Sequence, residues 1–322
     1  MGTTPQNSAE TLRKKAKKIK VLTIGHSLAV NATQMLARIA ALEGYPEMEV
    51  GTLYYSGCPL ARHVKYLQED ANEYWLFTSN TEDVSNPPQK IKNVTMKYGI
   101  QYTDWDIIIL QGGVFEIGKD ETYTDGNIQT IQNYVNENKL NPNAVFGWHM
   151  PWPGATDINL VSTYSKADSW TSKYAPYDND RTKLYNAITK CVSKHILPDD
   201  SFQYFIPSGT AFENAMSSYL EEKDLHRDYA HATDYARLLT AYLWYCVLAG
   251  VEQLEDIKMT AIPKEYFAVK TVPEELLAIK TDIEDYVVLT ETEKAIIIEA
   301  VNNALKNPLQ VTQSQYTQAP VK

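Results

Sequence analysis

Short apolar runs alternating with helical patterns constrain this 322-residue chain more than any other feature. Val21–Ile24 has no polar–apolar alternation, which reads as a strand buried on both faces. Similar runs follow at 48–55 (MEVGTLYY), 105–110 (WDIIIL), 144–150 (AVFGWHM) and 202–207 (FQYFIP). Between them lie helical spacings. Asn31 is placed to cap a helix carrying Met35, Leu36, Ile39, Ala40 and Leu42, and further helices are expected near 126–137 and 179–195. The stretch 233–250 is a strongly apolar helix ending at Gly250, a residue suited to a helix C-terminus. Thr290 and Glu293 form a capping box ahead of a last helix at 294–307. Five strand-like runs alternating with helices predict an α/β fold, with a central parallel sheet of about five strands and helices on both faces.

The expected organisation is a flexible N-terminal arm over 1–18 and a single domain over 19–316. Loop insertions are expected at 61–104 and 151–178, and a C-terminal helical extension at 251–316. With 44% of residues hydrophobic, the chain is long and apolar enough for a large core. A net charge of −10 argues against nucleic acid as a partner. No apolar run is long enough for a membrane span. The N-terminal stretch lacks the apolar region of a signal peptide. Three cysteines, Cys58, Cys191 and Cys246, make neither a disulfide framework nor a zinc motif. Oligomeric state stays open, and the 22 tyrosines suit a surface that handles glycans.

Gly25-His26-Ser27 lies just past the first strand, where open parallel sheets place their ligands. A serine at a strand-to-helix junction suits a nucleophile, although capping the helix is the plainer use for it. A nucleophilic serine needs a base, and the base an orienting group. Of six histidines, His231 is the one with an acid three residues earlier, Asp228. That spacing lets a turn fold the carboxylate onto the imidazole. Asp224 and His226 form a rival pair, and the four together offer a metal-assisted alternative. His63 and His195 are expected on helix surfaces.

These residues together resemble the SGNH (GDSL-type) hydrolase superfamily, and within it an uncharacterised branch common in gut anaerobes. KVLTIGHSLAVNATQ (20–34) resembles the nucleophile block and LYYSGCPLARH (53–63) the second block. DWDIIILQGG (104–113) resembles the third, FGWHMPW (146–152) a block at the edge of the site, and FIPSGTAFENA (205–215) the final strand. RDYAHATDYARLL (227–239) resembles the Asp-His block, and AVNNALKNPLQVTQSQY (300–316) the family's ending. The sequence departs from the pattern at His26, where the superfamily has Asp and this branch Asn. It departs again at Gln111-Gly112-Gly113, in place of Gly-x-Asn, and at Ala232, where the branch often has Leu.

The resemblance implies a flavodoxin-like three-layer α/β/α sandwich and a serine esterase that removes acetyl or other short acyl groups from a carbohydrate. Ser27, Asp228 and His231 would be catalytic. The N–H groups of Ser27 and Gly57, with the Gln111 side chain, would form the oxyanion hole. His26, His149 and Trp152 would line the substrate pocket. Neither metal nor cofactor is expected, and the partner would be a small-molecule or glycan ester. The resemblance leans towards export. The competing expectation is a glycan-binding protein on the same fold without activity.

Overall fold

A computed structural model of the protein describes residues 18–85, 88–162, 166–259 and 288–320. The expected N-terminal arm, apart from Lys18, lies outside these residues, as does much of the expected C-terminal extension. The described chain forms a three-layer α/β/α sandwich. Its sheet has seven strands: β1 (Lys18–Gly25), β2 (Glu47–Tyr54), β3 (Tyr74–Asn80), β4 (Gln89–Val94), β5 (Ile107–Leu110), β6 (Val145–His149) and β7 (Phe202–Ile206). Their spatial order is β4-β3-β2-β1-β5-β6-β7. The parallel strands are the five expected, in the doubly wound order 2-1-3-4-5. β3 and β4 add an antiparallel extension beyond β2.

That extension falls within the segment expected to be a loop insertion. Its strands were hard to read because one face is polar and open: in β4 only Val94 is buried. Lysines on such an edge discourage pairing with other chains. The central strand β1 is buried over Val21–Gly25 on both faces, as its unbroken apolar run requires.

Two helices follow β1, α1 (Ser27–Thr33) and α2 (Leu36–Leu42). The first starts five residues earlier than the sequence pattern places it, because His26, not Asn31, is its N-cap. These helices pack with α7 (Asp234–Ala249), which also meets α6 (Ser208–Met216) and α8 (Glu291–Lys306), on one face of the sheet. The crossovers through α3 (Leu60–Gln68), α4 (Asn127–Asn138) and α5 (Arg181–His195) occupy the other, as right-handed connections running in the opposite sheet direction demand. Gly250 is left-handed at the end of α7 (φ 71°), and Thr290 and Glu293 form their capping box. The 151–178 segment is less of a surface excursion than expected. Trp170 and Tyr174 are buried, and the Trp170 indole donates to Ala155 O (3.1 Å).

His63 is not on a helix surface. It is wholly buried, with Nδ1 2.9 Å from the Tyr74 hydroxyl and its ring stacked on that tyrosine. Burial pushes its pKa down to about 3, and that of His226 to about 4. Folded pKa values below the unfolded value of about 6.5 mean that the unfolded chain binds more protons across the interval between them. Stability should therefore be complete above pH 6.5 and fall as pH drops towards 4. Each such histidine costs about 2 kcal/mol at pH 5. The urea midpoint should be clearly lower at pH 5 than at pH 7; equal midpoints would contradict neutral burial.

Candidate active site

Asp228, His231 and Ser27 are 204 residues apart at their extremes, yet they form one hydrogen-bonded chain. His231 Nε2 is 2.8 Å from Ser27 Oγ. Its Nδ1 lies 2.9 Å from both Asp228 carboxylate oxygens. The carboxylate accepts Nδ1–H, which leaves the Nε2 lone pair to accept the serine proton.

The loop from 226 to 233 is built around that carboxylate. Asp228 Oδ1 also accepts the backbone N–H groups of Ala230 (2.9 Å) and His231 (2.8 Å), and Arg227 Nη2 reaches Oδ2 at 3.4 Å. Burial by itself opposes ionisation. The His231 imidazole, the Arg227 guanidinium and the Ala230 N–H outweigh it and hold the Asp228 carboxyl well below the usual carboxylate range. The loop closes on itself through Arg227 N to His231 O and Thr233 N to Leu225 O.

Two further contacts fix the loop from outside. Asn31, one turn after Ser27 on α1, accepts the Ala232 N–H through Oδ1 (3.1 Å). Expected as a helix cap, Asn31 is instead wholly buried and ties the Ser27 helix to the His231 loop. Trp152 donates its indole N–H to Ala230 O (2.9 Å) and stacks on Phe212 (5.0 Å between centroids). Ala155 N adds a bond to Tyr229 O. Trp152 is 0% exposed, so the expectation that it lines a substrate pocket is corrected: it braces the loop from inside the core.

His149 is corrected in the same way. It is 0% exposed at the end of β6, edge-on to Trp244 and without a partner at either ring nitrogen, and burial drives its pKa well down. His26 is 4% exposed, and both of its ring nitrogens are spent on backbone groups rather than left for a substrate. Its Nδ1 accepts the Leu28 N–H (3.4 Å), which leaves Nε2–H to donate to Gly112 O (3.2 Å). One neutral tautomer satisfies both contacts. Burial, opposed by the Gly112 bond and reinforced by His231, lowers its pKa to about 4.

Gln111 is wholly buried beside Gly25. Its Oε1 accepts the His26 N–H (3.1 Å), and its Nε2 has no partner. A Cβ on Gly25 would occupy the space of Gln111 Oε1 and press on Ala29, so only glycine lets the carboxamide lie there. Gly57 is exposed in the turn after β2 with φ of 53°, a conformation glycine adopts without strain. Asp224 and His226 turn away from the pair downstream. Asp224 accepts the Glu221 N–H (2.8 Å), and His226 Nε2 bonds Pro153 O (3.0 Å). Among the described residues no group of three or more His, Cys, Asp or Glu side chains could hold a metal ion. His195 bonds Asp120 (2.7 Å) at the far end of α5.

Residues 20–262 match the family described as a domain of unknown function, DUF4886, and the chain belongs to that family. It is similar to a DUF4886 family protein from Bacteroides uniformis, with a TM-score of 0.72 and 22% identity over 94% of this chain and 100% of that one. Two more distant similarities are to a candidate SGNH hydrolase from Slackia heliotrinireducens (TM-score 0.43, 13% identity, 72% of this chain and 99% of that one) and to a catalytic mutant of an acetylxylan esterase from Geobacillus stearothermophilus (TM-score 0.38, 14% identity, 70% and 93%). No curated protein matches the sequence.

If Asn31 and Trp152 position the Asp228–His231 loop, Asn31→Ala and Trp152→Phe should each lower kcat for a small ester by about tenfold or more, with KM little changed. Wild-type kcat in both folded variants would refute the bracing role. His26→Asn keeps a capping side chain and removes no proton acceptor from the serine. It should hold kcat/KM within about tenfold, roughly 1.4 kcal/mol in barrier. A loss as large as that of His231→Ala would make His26 a working base.

Proposed function

We propose that this protein is a serine esterase acting on short acyl esters, with acetylated carbohydrate as its substrate class. The observation that carries the reading is the 2.8 Å contact between Ser27 Oγ and His231 Nε2, with Asp228 bonded to the opposite ring nitrogen. A binding protein that had lost catalysis would have no need to keep a buried anion aligned behind an imidazole and a hydroxyl.

The proposed reaction proceeds as follows. Ser27 Oγ attacks the ester carbonyl while His231 Nε2 takes its proton. The imidazolium is stabilised by Asp228, whose carboxylate stays ionised because its pKa is held low. The developing oxyanion is met by the Ser27 N–H and by Gln111 Nε2–H, the buried donor left over once Oε1 is bonded to His26. The Gly57 N–H is the third candidate donor. The imidazolium then protonates the departing alcohol, leaving an acyl-serine. Water, deprotonated by His231, attacks that ester; the imidazolium returns the proton to the departing Ser27 Oγ, the carboxylic acid is released, and Ser27 and neutral His231 are regenerated. Ser27 is 8% exposed and His231 6%, which supports a small acyl group such as acetyl in a nearly dry site. Acetylated carbohydrate as the alcohol side rests on the sequence resemblance to SGNH hydrolases.

Hydrolysis of p-nitrophenyl acetate tests this reading. Wild type should turn the ester over and be indifferent to a chelator. Ser27→Ala should be inactive though folded, and Asp228→Asn should lose about 10²–10⁴-fold in kcat, because the amide supports the wrong imidazole tautomer. Wild-type turnover in Ser27→Ala, or a loss in chelator restored by a divalent ion, would overturn the serine mechanism.

A further inference from the structure

One structural row leads away from the catalytic serine. Gly25, two residues before Ser27, is in register with Tyr54 on β2, Tyr54 with Trp75 on β3, and Trp75 with Lys92 on β4. Residues directly paired across a sheet share a face, and successive strands lie about 4.8 Å apart. Trp75 therefore stands about 10 Å across the sheet from Gly25, at the edge that carries Ser27. Its face is that of α1: the Cα of Gly25 looks onto Ala29, and Tyr54 and Phe77 pack with Val30.

Trp75 is half-buried, propped by Tyr54 (5.7 Å between centroids) and Phe77 (6.3 Å). The exposed lysines of β4 lie over its indole, Lys90 Nζ at 4.9 Å and Lys92 Nζ at 5.2 Å from the ring centroid. Pairing is irregular at this point. Tyr74 opposes Val94 and Trp75 opposes Lys92, so Asn93, with φ of 56°, is the extra residue of a bulge. Bulges re-aim side chains, and this one sets Lys92 opposite Trp75. Edge lysines alone would protect the strand from pairing. They do not require a large aromatic ring held between them, nor a bulge that brings two ammonium groups to one ring in a chain of net charge −10.

We propose that Trp75, Lys90 and Lys92 form a subsite for an acidic, uronate-bearing carbohydrate chain whose acyl ester is presented to Ser27; this rests on the esterase reading. The indole offers a flat apolar platform to the C–H face of a sugar ring. The lysines move from the ring to the sugar carboxylate, exchanging a cation–π contact for an ion pair. The substrate is thus distinguished by the charge of a residue remote from the bond that breaks.

The test compares kcat/KM on O-acetylated oligogalacturonides and on O-acetylated xylo-oligosaccharides of matched length. Wild type should favour the acidic series by about tenfold, the scale of one such contact. Trp75→Ala should remove most of that gain through KM, and the double variant Lys90→Glu/Lys92→Glu should abolish or invert the preference. Both should keep p-nitrophenyl acetate turnover, since neither touches the catalytic chain. The lysine variant changes only exposed side chains and so guards against misfolding of Trp75→Ala. Calorimetry with unesterified oligogalacturonide separates the two readings: binding that is lost in the lysine variant supports the subsite even if wild type hydrolyses no ester. Equal activity on both series with no oligogalacturonide binding, or an acidic preference untouched by either variant, would overturn it.

Discussion

A buried carboxylate organises the functional end of this molecule. Asp228 is 1% exposed, and an anion so placed is tolerated only when its lone pairs are filled by well-aligned donors. The loop from His226 to Thr233 takes the shape that fills them, two backbone N–H groups and an imidazole on the carboxylate and a guanidinium at its edge. The direction of the His231 ring follows from this requirement. Nδ1 must face the carboxylate, so Nε2 must face outward, and Ser27 Oγ is what it meets.

The loop is also anchored to elements distant in sequence. Asn31 joins it to α1, and Trp152 and Ala155 join it to the segment after β6. Three parts of the chain thus share one small polar network in which the loss of any member leaves a buried group unpaired. Such losses commonly cost about 1–3 kcal/mol each, and they also loosen the geometry that the proposed catalysis needs. The crowding at Gly25 belongs to the same arrangement: the end of β1 has no side chain, so the Gln111 carboxamide can lie across it and hold the turn that leads into Ser27.

Much of this was legible in the sequence, for identifiable reasons. Parallel strands buried on both faces print themselves as unbroken apolar runs, so the five central strands stood out. An Asp three residues before a His, ahead of an apolar helix, pointed to the loop. What could not be read depended on contacts distant in sequence. β4 carries lysines and asparagine on an open face, and β3 runs from apolar to polar residues without a clear period. His26 as a helix cap shortened the apparent loop after β1, since histidine is not a residue one looks for there. His149 and Trp152 follow a strand in the manner of pocket residues, but the packing of α6 and α7 seals them inside. Asn31 did leave a signal: an amide in the apolar stretch SLAVNAT, four residues after the serine, on a helix too buried to leave it in water.

In the proposed mechanism Ser27 is a nucleophile activated by His231. Labelling of the intact protein with a fluorophosphonate, followed by peptide mapping, addresses it most directly, because the reagent needs both the hydroxyl and its base. One adduct per chain is expected, on Ser27, and little or none in His231→Ala. An unlabelled wild-type protein, an adduct on another residue, or full labelling of Ser27 without His231 would contradict it.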